Sequence, residues 1–241
     1  PILTFNGFAL VKTKQFANPR MVGNPVQAAR VYNSRAVDEL AFIDIFATKQ
    51  NRKHNLKVVQ DVIKECFMPV AIGGGIHSID DINDLLKVGA DKVIIKTASI
   101  RDSNFIKTAS KFFGAQCITV SVDVYRENDK VYVLNNEGKS ILMQDFIIEM
   151  QKAGAGEILL NAVNNDGMMQ GFDIALIQEA EKVTKVPMIC VGGGGNPEHY
   201  VELFEQTSCE AVGSASIFHF TQFTPLDIKN ALHKINKPVR L

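Results

Sequence analysis

The chain has 241 residues, enough for two small domains or for one large α/β domain with a sizeable core. Its 26 Lys and Arg balance its 26 Asp and Glu, so no net field draws it to nucleic acid or to an anionic membrane. No apolar run approaches the ~20 residues that span a bilayer, and "PILTFNGFALVKTK" lacks the basic region that opens a signal peptide.

The first element is a weak apolar run, "PILTF"; Pro1 in place of Met implies that a few residues precede it. Stronger runs follow: "LAFIDIF" (40–46), "PVAI" (69–72), "KVIIK" (92–96), "CITVSVDV" (117–124), "EILLNAV" (157–163), "PMICV" (187–191) and "AVGSASI" (211–217). Rich in Val, Ile and Leu, they predict strands buried on both faces. The amphipathic stretches between them, such as 55–67, 79–89 and 104–114, predict helices, several ending in Gly or followed by Pro. Eight strands alternating with helices imply a parallel sheet with right-handed crossovers.

An open doubly wound sheet and a closed (β/α)8 barrel both satisfy that alternation, and an internal repeat decides between them. A shift of 119 residues lays Gly73-Gly74-Gly75 on Gly192-Gly193-Gly194, Thr97 on Ser216, and Thr4 on Asp123; a shift of 118 lays Glu39 on Glu157. No linker or charge run marks the midpoint. The expectation is one α/β domain over 1–241, a single (β/α)8 TIM barrel with half-barrels at about 1–120 and 121–241.

In such a barrel the strand C-termini form the active face. A glycine cluster between a strand and a helix can simply be a tight turn. Two in register, each followed one βα unit later by a small hydroxyl residue (Thr97, Ser216), point instead to two phosphate sites facing each other across one mouth. Cys66, Cys117, Cys190 and Cys209 have no CxxC spacing and read as buried free thiols in a reducing cytoplasm. His77, His199 and His219 have no ligand spacing, so neither a metal nor a cofactor is expected. "NRKH" (51–54) reads as a solvated loop or helix start on the active-face side.

The segments "DELAFIDI", "MPVAIGGGIHSIDD", "GADKVIIKTAS", "FGAQCITVSVDV", "GAGEILLNAVNNDG", "GGGGNPEHYVE" and "SASIFHF" together resemble the cyclase subunit of imidazole glycerol phosphate synthase, over nearly the whole chain. The resemblance implies a half-barrel repeat that binds a long bisphosphorylated substrate across its mouth. It also implies a separate glutaminase subunit docked on the opposite, N-terminal face, sending ammonia through the barrel. By resemblance, one phosphate site takes Gly75, Thr97 and the backbone at Lys96, where the family more often has Asn. The other takes Asp166, Gly167, Gly193, Ala215 and Ser216. Glu39, Lys92 and Glu157 match three members of a charged ring that gates ammonia, the fourth falling before Pro1.

The resemblance also implies two catalytic aspartates, at the ends of the first and fifth strands. Asp123 keeps the fifth-strand position and Lys12 keeps a lysine of the first loop, but the first-strand position holds Thr4. A hydroxyl does not exchange protons near neutral pH as a carboxylate does, and general acid–base help is worth ~10²–10⁴-fold. The first strand resembles more closely the divergent paralogues associated with surface-polysaccharide synthesis. These pass ammonia toward an amidino sugar with a third, ATP-dependent amidotransferase-like protein. Three further readings stand beside that one: the standard cyclase of histidine biosynthesis, the single-chain isomerase of the same pathway, and a non-catalytic conduit for a partner glutaminase.

Overall fold

A computed structural model describes all 241 residues. The strands are β1 (Ile2–Phe5), β2 (Leu10–Lys14), β3 (Ala17–Gly23), β4 (Leu40–Asp44), β5 (Val70–Gly73), β6 (Lys92–Ile95), β7 (Ile118–Glu127), β8 (Lys130–Val133), β9 (Glu157–Ala162), β10 (Met188–Val191) and β11 (Ala211–Gly213). The helices are α1 (Pro25–Ser34), α2 (Leu56–Ile63), α3 (Ile79–Lys87), α4 (Thr97–Arg101), α5 (Ser103–Phe113), α6 (Met143–Ala153), α7 (Ile174–Glu181), α8 (Pro197–Gln206), α9 (Ser216–Phe220) and α10 (Pro225–Lys234).

Eight of the strands pair in parallel in the order β1-β4-β5-β6-β7-β9-β10-β11. The two ends meet where Ile2 N–H donates to the Ser214 carbonyl at 2.8 Å. The fold is a (β/α)8 barrel. Its seam is thin: the other neighbours share ladders of three to six residue pairs, as β10–β11 and β7–β9 do.

The remaining strands belong to hairpins on the C-terminal side of the barrel. β2 and β3 follow β1, and β8 folds back on β7. Both hairpins lie at the same place in their half. The short helices α4 and α9 likewise open at Thr97 and Ser216, residues related by the 119-residue shift.

Capping fixes where helices begin. Ser78 with Asp81 closes a capping box on α3, and Thr224 with Asp227 another on α10. Asn24 and Asn196 cap α1 and α8 just ahead of prolines at the first helical position.

The run at 211–217 is shorter as a strand than expected: β11 stops at Gly213 and helix α9 begins at Ser216. A short apolar run carries no periodicity that separates strand from helix.

Strand alternation sorts each barrel residue to one of two sides. Leu3, Phe5, Leu40, Phe42, Ile72, Val93 and Ile95 pack outward, buried against the helices. The inward lanes run from one end of the barrel to the other: Lys92, Ile94 and Lys96 along β6; Thr119, Ser121 and Asp123 along β7; Glu157, Leu159 and Asn161 along β9. Four residues of strand span about 13 Å, so each lane ties a floor residue to a mouth residue through one intervening side chain.

Candidate functional site

The mouth cavity, about 260 Å³, lies at the C-terminal ends of the strands. Its lining includes Thr4, Lys12, Gly75, Lys96, Thr97, Asp123, Asp166, Gly167, Gly193, Ala215 and Ser216, so the structure brings these candidates together, while residues 51–54 lie outside it. Glu39, Lys92 and Glu157 meet at the other end.

The two glycine turns share one close approach, at the register-matched Gly74 and Gly193. Gly74 and Gly75 have φ of +97° and +67°, and a Cβ on Gly74 would lie 2.0 Å from the Asp44 carbonyl oxygen. Gly192 and Gly193 have φ of +98° and +118°, and a Cβ on Gly193 would lie 2.0 Å from the Gly171 carbonyl oxygen. Gly74 therefore packs directly on the end of β4, and Gly193 on the loop after β9, which only glycine permits. Near the second turn, the Ser216 hydroxyl is buried without a hydrogen-bond partner, as is the Asn161 side-chain oxygen. Orphaned polar atoms beside a cavity mark a place where a polar ligand would be satisfied.

Three carboxylates stand at the mouth, and each has its own cation. Asp44, its side chain fully buried, takes a bidentate bond from Arg52 at 2.6 and 2.9 Å and also accepts from the N–H groups of Phe46 and Ala47. Asp166 takes both oxygens to Lys12 Nζ, at 2.8 and 3.0 Å. Burial pushes the Asp166 carboxyl above the usual range, and the Lys12 ammonium pulls it only part of the way back. Asp123 pairs with Lys96 Nζ at 2.7 Å and accepts from Ser121 Oγ at 3.3 Å. The Thr4 hydroxyl donates to the Val11 carbonyl.

The β2–β3 hairpin leans over this mouth. Its tip residues Gln15 and Phe16 have φ of +49° and +62°. Gln15 holds the loop after β9 through two bonds, N–H to the Asp166 carbonyl at 2.9 Å and Nε2 to the Asn164 carbonyl at 2.8 Å. The Phe16 ring lies 5.8 Å from Lys96 Nζ.

"NRKH" is a loop just ahead of α2, with Asn51 and Lys53 exposed but its other two residues turned inward. Arg52 is half-buried against Asp44 and over Gly7, where a Cβ would strike the guanidinium at 2.5 Å. His54 is buried, stacked on Phe5 at 6.4 Å, and burial pushes its imidazole down to about 4. A charged tetrapeptide reads as solvent-facing until its partner, Asp44, is known. Sequence reasoning also missed Asn161 and the side-chain role of Lys96; inward alternation from Glu157 and Lys92 was the available signal for both.

At the floor, Lys92 Nζ bridges Glu157 at 3.1 Å and Glu39 at 3.2 Å, while Thr119 Oγ1 donates to Glu157 at 2.8 Å. Burial alone would lower the Lys92 ammonium, but Glu157 and Glu39 outweigh it and hold it raised. A second cavity of about 440 Å³ opens here, and Ile2, Ile94, Leu159, Gly213 and Ser214 line both it and the mouth.

Residues 6–224 match the profile of the histidine biosynthesis protein family. The chain belongs to that family. It is 39% identical to the imidazole glycerol phosphate synthase subunit HisF of Staphylococcus saprophyticus, over the whole of this chain and 97% of that one. Identity to the subunits of the same name from Staphylococcus aureus strains MRSA252 and Newman is 38% over the same spans. Within this family the chain is thus a relative of the cyclase subunit of a synthase complex. No group of His, Cys, Asp or Glu side chains is placed to hold a metal, and no helix is long and apolar enough to cross a membrane.

Proposed function

We propose that the chain is the ammonia-receiving barrel of a glutamine-dependent complex of this family, adapted to an acceptor other than the cyclase substrate. A glutaminase would dock on the N-terminal face, at the Glu39–Lys92–Glu157 floor, and neutral ammonia would pass along the inward lanes to the mouth. Gly75 with Thr97, and Gly193 with Ser216, would hold the two anionic ends of a phosphorylated or sugar ligand. Asp166, Gly167, Ala215 and the backbone at Lys96 would complete those ends.

The observation that carries the reading is the state of the carboxylates at the mouth. Thr4 occupies the first-strand position, and Asp123 is committed to Lys96. A floor of three charged groups in contact stands beneath a mouth whose three carboxylates are all paired with cations, which suits ammonia delivery better than proton-transfer chemistry. Acceptors in surface-polysaccharide synthesis, with an ATP-dependent third protein that activates the sugar, fit this division of labour. The cytoplasm, where glutamine is abundant, is the compartment this reading assigns.

The test pairs the purified chain with a glutaminase of the same organism. Complex formation and faster glutamine hydrolysis are expected, and Lys92→Glu should abolish the stimulation while leaving the barrel folded. A chain that neither binds nor stimulates any such glutaminase would remove the reading. A second reading, the standard cyclase of histidine biosynthesis, is favoured by the full-length likeness to the synthase subunits.

A further inference from the structure

We propose that Lys96 is a positioning residue that withdraws Asp123 from proton transfer, so that two positions, Thr4 and Lys96, together determine which reaction the mouth supports. This rests on the functional reading above and deepens it.

Asp123 stands at the mouth end of the β7 lane, buried, with one oxygen 2.7 Å from Lys96 Nζ and the other accepting from Ser121 Oγ. To serve a ligand the carboxylate must turn a lone pair toward it, and that rotation breaks the contact to Lys96 on one oxygen or to Ser121 on the other. Opposite charges this close and partly shielded from water attract strongly.

Lys96 is itself held from a second side. The Phe16 ring faces its ammonium at 5.8 Å, a cation–π contact. Phe16 sits at the tip of the hairpin that Lys12 and Gln15 tie to the loop after β9. Three segments of the chain thus fix one ammonium against one carboxylate. Asp166 and Asp44 have their own cations and do not compete for it. The same strand places Lys92 at the floor, bridging Glu39 and Glu157. The β6 lane therefore carries an ion-paired lysine at each end.

A carboxylate restored at position 4 would leave Asp123 as it is. Thr4→Asp alone is therefore expected to gain little, and Thr4→Asp with Lys96→Asn to gain much more. The chain and the variants Thr4→Asp, Lys96→Asn and the double are assayed for imidazole glycerol phosphate from the synthase's bisphosphorylated substrate and ammonium. The double variant should exceed Thr4→Asp by at least about 100-fold, the scale of general acid–base help. A Thr4→Asp variant as fast as the double overturns the proposal, as does a double variant that binds the substrate by calorimetry yet forms no product.

If none of the four proteins binds that substrate, the functional reading of the pocket fails, and the pair is judged by itself. Acylation of lysines by acetic anhydride, followed by peptide mass spectrometry, reads the reactivity of Lys96 against exposed Lys14. Breaking the pair with Asp123→Asn should speed labelling of Lys96 by about tenfold or more, as expected when the anion beside an ammonium is removed. Equal labelling in the parent and in Asp123→Asn would show that nothing holds the ammonium, and would overturn the proposal.

Discussion

The two glycine turns share one backbone device and differ in what holds the loop beneath them. Under Gly74 and Gly75 the supporting loop is secured locally, by Arg52 on Asp44 and by the buried ring of His54. Under Gly193 it is secured by a backbone bond, Gly171 N–H to the Gly193 carbonyl at 2.9 Å, and by the packing of Phe172 edge-on to Tyr200. Beside that second turn, Asp166 reaches across to Lys12 on the hairpin. Duplicated geometry has thus diverged in electrostatics: the first turn is closed on itself, and the second is tied to the β2–β3 hairpin and keeps an unpartnered hydroxyl at Ser216.

Glycine substitution should show what the two turns share, and it should cost the most. Gly193→Ala forces φ of +118° on a residue with a Cβ 2.0 Å from backbone oxygen, and about 3 kcal/mol or more should be lost in urea unfolding. Gly74→Ala, its match in the first half, at φ of +97° and with the same 2.0 Å approach, should lose about as much. A loss at one turn and not at the other would mean that the two do not share the device.

The ion pairs come next. Lys12→Met strands a buried carboxylate, and a loss of about 3 kcal/mol is expected by the same measurement. Arg52→Met leaves Asp44 two backbone N–H partners and removes a cation that is 29% exposed, so about 2 kcal/mol should be lost. A reversed order would place the stronger anchor in the first half.

His54 supplies an acid signature in the first half; burial also lowers His219 in the second, by less. The His54 imidazole titrates near 4 when folded and near 6.5 when unfolded. Below pH 6.5 the unfolded chain takes up a proton that the folded chain refuses. The stabilisation present above pH 6.5 is therefore lost at about 1.4 kcal/mol per unit as pH falls toward 4, up to roughly 3 kcal/mol in all. His54→Phe, which copies Phe172 of the other half, should flatten that slope. Identical slopes in the two proteins would assign the acid sensitivity elsewhere.

The smallest effect concerns anions. Inorganic phosphate or a bisphosphorylated sugar should bind about tenfold more weakly to Ser216→Ala, because a buried hydroxyl loses a charge-assisted bond. Thr97→Val should change affinity less, its hydroxyl being nearer solvent. Unchanged binding in both, read by calorimetry, would remove the phosphate assignment.

Much of the barrel was legible because burial on both faces writes strands as continuous apolar runs, and the 119-residue repeat fixed how they close. The hairpins were harder. Asn128-Asp129, with φ of +47° and +60°, carries a recognisable turn signal before β8. Gln15-Phe16 adopts the same conformation without such residues, and β3 is exposed along nearly its whole length, so nothing apolar announced it. The repeat pointed to the glycine turns, Thr97, Ser216, Thr4 and Asp123, while Lys12, Lys96, Asp166, Gly167 and Ala215 came from the family resemblance alone. Their partners were not legible: Lys12 and Asp166 lie 154 residues apart, and only folding brings them together.

The central claim is that ammonia handling and cyclisation have come apart in this chain. One mixture tests it: the chain, its glutaminase, glutamine and the synthase's bisphosphorylated substrate, with glutamate and imidazole glycerol phosphate followed together. Glutamate release should rise on adding the chain, while imidazole glycerol phosphate forms at least about 100-fold more slowly than glutamate. The two products appearing in equal amounts would contradict the account and make this barrel a standard cyclase.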